Sequence, residues 1–124
     1  MKILIVDDEK DIEMLFRQKF RKEVKYNDLE LMFAFSGQEA LEVIERENPP
    51  AVVYVFSDIN MPGMTGLELL KVVKKRFPEI KVSMISAYGD AENYNRAKAS
   101  GAQQFFTKPI DFNSLKKEIN QLTN

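Results

Sequence analysis

Five short apolar runs, at residues 3–6, 29–35, 51–56, 80–85 and 104–106, each give way to a stretch of helical character. No other feature of the chain restricts its fold as strongly. Short apolar runs without alternation are strands buried on both faces, and such strands need helices above and below them. Strand and helix alternating through short connections predict a (βα)5 chain of the α/β class, with a parallel sheet, right-handed crossovers and both faces covered.

The helical stretches carry the apolar stripes this arrangement requires. Ile12, Leu15, Phe16 and Phe20 recur at helical spacing, as do Leu69, Val72, Val73 and Phe77, and then Phe112, Leu115, Ile119 and Leu122. Ser36 with Glu39 and Thr65 with Glu68 fit the S/T-x-x-E capping box, while Pro78 and Gly101 read as helix stops. The fourth helix candidate, "DAENYNRAKASG", offers only alanines and Tyr94 to a core, so shallow attachment is expected.

Composition limits the chemistry. At 124 residues, 44% hydrophobic and 30% charged, the chain is expected to form one compact domain, residues 1–124. No apolar run approaches the roughly 18 residues of a membrane span, and "MKILIVDDE" turns acidic too early for a signal peptide, so a cytoplasmic location without membrane contact is expected. There is no cysteine and no histidine, which excludes disulfides, thiolate metal sites, thiol catalysis and the usual general base. A net charge of −1 argues against direct nucleic-acid binding, and the run Lys74, Lys75, Arg76 suits a helix C-terminus in solvent.

Open parallel sheets bind ligands beyond the carboxyl ends of their strands. Asp7 and Asp8 follow the first run, Asp58 the third, Ser86 ends the fourth and Lys108 follows the fifth. Singly, each has a plain structural alternative: a cap, a turn opener, a strand-end hydroxyl, a solvated lysine. Together they gather acids that would raise one another's pKa values unless a divalent cation compensates. With neither sulfur nor imidazole at hand that cation is hard, Mg2+ being favoured, and a lysine and a hydroxyl beside it complete a cradle for a phosphoryl group.

The stretches "ILIVDDE", "SDINMPGMTGLELL", "SAYGD" and "FFTKPID" stand in the order and spacing of a known family. Over essentially its whole length the chain resembles the response-regulator receiver domains of two-component signalling, chemotaxis receivers included. The resemblance implies a flavodoxin-like sheet of order 2-1-3-4-5. It makes Asp58 the phosphoacceptor, taking a phosphoryl group from a phosphohistidine on a histidine kinase or phosphotransfer protein. Asp8, Asp58 and the backbone carbonyl of Asn60 would hold Mg2+ directly, and Asp7 through water. Lys108 would pair with a phosphoryl oxygen, and Pro109 after it is cis in the family. Ser86 would hydrogen-bond the phosphoryl group, and Phe105 matches an aromatic switch position often occupied by Tyr. The implied output route is the face made by the fourth helix, the fifth strand and the fifth helix, reaching a partner or an output domain. Such a domain is not an enzyme beyond its own phosphorylation and dephosphorylation.

Two departures from the family pattern stand out. Seven residues, "AVVYVFS", separate Pro50 from Asp58 where five are commoner, which predicts a longer or bulged approach to the third strand. Tyr88, two past Ser86, is expected to border the site and shield an acyl phosphate from water. Three other functions are weaker fits. A flavin carrier needs an uncharged phosphate loop where "DDEKD" stands. A Mg2+-dependent aspartyl-phosphate phosphatase wants an acid where Asn60 stands, and a receiver-like module that is never phosphorylated should lack Asp8, Asp58 or Lys108. The 124 residues contain no output domain, so the signal is expected to leave by contact.

Overall fold

A computed structural model describes residues 1–26, 29–46, 51–87 and 91–121. The strands are β1 (Lys2–Val6), β2 (Glu30–Ala34), β3 (Val52–Asp58), β4 (Lys81–Ser86) and β5 (Phe105–Thr107). The helices are α1 (Asp11–Lys19), α2 (Arg21–Lys25), α3 (Gly37–Glu45), α4 (Gly66–Arg76), α5 (Ala91–Ala99) and α6 (Phe112–Gln121). All the strand pairs are parallel, and the order is β2-β1-β3-β4-β5.

Successive side chains of a strand point to opposite faces, so each strand feeds two cores. Leu4, Val6, Val55, Val82 and Met84 pack with Leu41, Ile44, Leu69 and Val73 of α3 and α4. Ile3, Ile5, Tyr54, Phe56 and Ile85 pack on the other face with Phe16 and Phe20 at the end of α1, and with Leu115 and Ile119 of α6. The result is three layers, with the sheet in the middle.

The approach to β3 is bulged. Lys2 pairs with Val52 but Ile3 pairs with Tyr54, leaving Val53 as the extra residue, 40% exposed. A residue inserted there reverses the facing of everything before it. Val52 accordingly joins the α3/α4 core, although in an unbroken strand it would share a face with Tyr54 and Phe56. The bulge takes up one residue of the longer segment before Asp58, whose pairing with Ile85 stays regular.

The caps form with one variation. Thr65 and Glu68 make the full reciprocal box on α4. Ser36 accepts from the Glu39 N–H, but the Glu39 carboxylate reaches back to the N–H of Phe35 rather than that of Ser36. Asp111 caps α6, accepting from the N–H groups of Asn113 and Ser114. At the end of α4, Lys74 donates to the carbonyls of Pro78 and Ile80, and Arg76 pairs with Glu45, so those cations serve the helix terminus and its neighbour.

Two expectations need correction. The first helical stretch is divided at Phe20, whose φ of −106° and ψ of 18° separate α1 from α2. Leu15 does not belong to the buried stripe: with Phe16 and Phe20 facing the sheet it turns outward and is 36% exposed. Leu122 lies outside the described residues. The shallow attachment expected of α5 is present, since Ala97 is its buried residue and Tyr94 is 40% exposed. Among the described residues no helix is long and apolar enough to cross a membrane.

Candidate functional site

The carboxyl ends of β1, β3, β4 and β5 bring the expected side chains to one place. Asp7 leaves β1 with its N–H still bonded to the Ala34 carbonyl, so its carboxylate is fixed by the sheet at the central edge. Asp58 is the last residue of β3, anchored by its register with Ile85. Carboxylate oxygens of Asp7, Asp8 and Asp58 lie within 4.8 Å of one another. Asp7 and Asp58 are buried and Asp8 is exposed, so the cluster has two acids in its floor and one at its rim.

Lys108 enters from the residue after β5. Its Nζ lies 3.0 Å from Asp7 Oδ2 and 3.8 Å from Asp58 Oδ2. The Lys108 N–H donates to the Ser86 carbonyl at 2.7 Å, which ties the lysine's backbone to the end of β4. The Lys108–Pro109 peptide is cis. Ser86 is buried beside this junction, in register with Thr107. Asn60 is exposed in the loop that follows β3. Phe105 is half-buried against the α3/α4 core and meets Tyr94 edge to face, with ring centroids 5.6 Å apart. Tyr88 lies outside the described residues.

Charge is unbalanced here. Burial raises the Asp58 carboxyl to a pKa of about 6, and the neighbouring Asp7 adds to the rise, against Lys108 and the backbone N–H groups of Ile59 and Asn60. For Lys108, burial favours the neutral amine, but the hydrogen bond to Asp7 and the charges of Asp58, Asp7 and Glu9 outweigh it and hold the pKa above the usual lysine value. The remaining Asp7 oxygen accepts from the Glu9 N–H at 2.9 Å. An all-oxygen donor set with converging carboxylates, one of them exposed, fits a hard divalent cation and offers nothing to a soft one.

Gly66 is a site residue that sequence reasoning missed. Its N–H donates to the Ile59 carbonyl at 2.8 Å, and a Cβ there would stand 2.0 Å from the Asp58 carbonyl oxygen. The first residue of α4 is therefore seated directly on the backbone of Asp58. The signal was present in "MTGLE": a glycine immediately inside a capping box, where helix propensity alone gives it no purpose.

The response regulator receiver domain family matches residues 3–120. This chain belongs to that family. Among curated relatives, sporulation initiation phosphotransferase F of Bacillus subtilis is 34% identical over 118 residues, covering 95% of this receiver and 90% of the relative. The response regulator protein PilR of Pseudomonas aeruginosa is also 34% identical over 118 residues, but this receiver spans only 25% of its length. Among solved structures, the receiver domain of the Francisella response regulator 1452 superposes with a TM-score of 0.81 at 31% identity, covering 98% of this chain and 94% of that one. The five-stranded 2-1-3-4-5 sheet is the receiver fold, and this is a receiver domain of a two-component response regulator.

Proposed function

We propose that this receiver takes a phosphoryl group onto Asp58 from the phosphohistidine of a histidine kinase or phosphotransfer protein, and signals by the change that follows. The observation that carries this reading is the grouping of Asp7, Asp8 and Asp58 within 4.8 Å, with the Lys108 ammonium 3.8 Å from Asp58. An Asp58 carboxylate oxygen attacks phosphorus, a P–O bond forms as the P–N bond to imidazole breaks, and the imidazole leaves with the bonding pair. Asp8, Asp58 and the Asn60 carbonyl would hold Mg2+, with Asp7 acting through water. When bound, the ion neutralises charge on the phosphoryl oxygens.

The remaining roles belong to the chain itself. Lys108 is held by Asp7 at 3.0 Å and can redirect a proton donor to a phosphoryl oxygen without leaving the site. Ser86, buried at the end of β4, would hydrogen-bond the same group. The phosphoryl group carries roughly one and a half to two negative charges where the carboxylate carried one, and drawing Ser86 and Lys108 inward changes the packing of Phe105, which pairs with Met84 two positions before Thr107. Phe105 already leans on Tyr94, so the output surface is the face of α5, β5 and α6, open to a partner or an output domain. The domain acts on no other substrate, contacts neither nucleic acid nor membrane, and works in the cytoplasm.

The test is incubation with Mg2+ and acetyl phosphate, read by intact mass. The parent should gain one phosphoryl group and Asp58→Asn none, and chelating the metal should abolish the gain. An unmodified parent, or an Asp58→Asn variant modified as readily, removes the reading.

A further inference from the structure

A second polar group lies deep in the sheet, away from the acidic edge. The backbone N–H of Gln104 donates to Ser83 Oγ at 3.0 Å. Ser83 Oγ is hydrogen-bonded to the Tyr54 hydroxyl, and that hydroxyl donates to Glu118 Oε1 at 3.1 Å. Tyr54 and Ser83 have no exposure to solvent and Glu118 is 7% exposed.

The direction of every proton follows from the chemistry of the ends. A backbone N–H only donates and an ionised carboxylate only accepts. The Tyr54 proton is committed to Glu118, so the Ser83 proton goes to Tyr54, and the free lone pair of Ser83 receives Gln104. Burial holds the Tyr54 phenol far above the usual range and the Glu118 charge adds to this against the Ser83 hydrogen bond, so the proton stays in place. Hydrogen bonds polarised in one sense strengthen one another in a low-dielectric interior.

The two ends of this chain are mechanically informative. Gln104 immediately precedes Phe105, and its carbonyl accepts from the Met84 N–H at 3.1 Å, so both of its backbone groups are held by β4. β5 has three residues, none fully buried, in a three-residue register with β4. Glu118 lies on α6 between Leu115 and Ile119, both core residues. Gln104, the residue leading into β5, and α6 are thus joined through β3 and β4 by a route independent of the loop between β5 and α6.

We propose that Tyr54, Ser83 and Glu118 are positioning residues that bind β5 and α6 into one unit, so that phosphorylation moves α6 as well as Phe105 and Tyr94. This rests on the phosphoacceptor reading and goes beyond it by assigning α6 a response delivered from inside the sheet.

The test uses the full chain with Mg2+ and beryllofluoride as the phosphoryl mimic, read by amide NMR shifts. In the parent, shifts are expected at Ser86, Lys108 and residues 115–119. Tyr54→Phe should keep those at Ser86 and Lys108 while the α6 response falls by a factor of about two or more. Glu118→Gln retains an acceptor oxygen and should keep the α6 response of the parent. Ser83→Ala cuts the same route at its other end and should lower the α6 response in the same way, which keeps the test open should Tyr54→Phe not fold. Equal α6 shifts in the cut variants and the parent, or loss of them in Glu118→Gln as complete as in Tyr54→Phe, overturn the proposal. A parent that responds at Ser86 but not in α6 overturns it alone, whereas a parent silent at Ser86 takes the phosphoacceptor reading down with it.

Discussion

Two groups of buried polar side chains among the described residues are treated in opposite ways. At the carboxyl edge of the sheet, Asp7 and Asp58 share the single ammonium of Lys108, with Asp8 adding negative charge at the rim. In the interior, Tyr54, Ser83 and Glu118 run donor to acceptor from Gln104 onward. Among the described residues, no buried side-chain atom of that interior group lacks a partner. A closed network adds to stability and keeps elements in register. An edge with surplus charge costs stability and leaves capacity for a cation and an anion to bind. The interior group thus serves the fold, and the edge is held open for chemistry.

Gly66→Ala should have the largest effect, because its methyl group would collide with the backbone that presents Asp58. A loss of at least about 3 kcal/mol is expected in a urea unfolding series, with slower modification by acetyl phosphate. A midpoint close to that of the parent would mean that α4 is not seated on Asp58 as described.

Asp58→Asn should do the reverse and stabilise. The folded carboxyl has a pKa of about 6 against an ordinary value of 3.8. The folded state therefore holds this proton more tightly, and the contribution is fully present below pH 4 and lost as pH rises through about 6. At pH 7 without metal the variant should gain about 2 to 3 kcal/mol, shrinking toward zero below pH 4. Mg2+ should narrow the gap at pH 7 by stabilising the parent alone. Equal stabilities at pH 7 without metal would show that the edge carries no surplus charge.

Ser83→Ala acts on the interior group. It should cost about 1 kcal/mol, as a satisfied hydrogen-bond group loses a member, and Mg2+ should not recover it. A stabilised Ser83→Ala would make the interior group as frustrated as the edge.

Much of this was legible in advance for definite reasons. The apolar runs located the strands because a sheet covered on both sides leaves little polar choice along them. Asp7, Asp8, Asp58, Ser86 and Lys108 could be grouped because each follows or ends a strand, and parallel strands finish at the same edge. The expected bulge before Asp58 was visible as surplus length, though not that it falls at Val53 and turns Val52 to the other face. The outward position of Leu15 was hidden, since a helical stripe is wider than the strip of sheet it covers. Glu118 left a trace as an acid beside the stripe of Leu115 and Ile119. Its partners left none.

Local order in the chain determined the elements, their caps and the end of the sheet where chemistry would gather, because periodicity and capping act between residues a few positions apart. Tertiary structure alone decided that Tyr54 meets Ser83, 29 residues on, and Glu118, 64 residues on. It also decided that Lys108 rests nearer to Asp7 than to Asp58. Contacts of that kind depend on register, facing and depth of burial, and those quantities exist only once the layers have closed on one another.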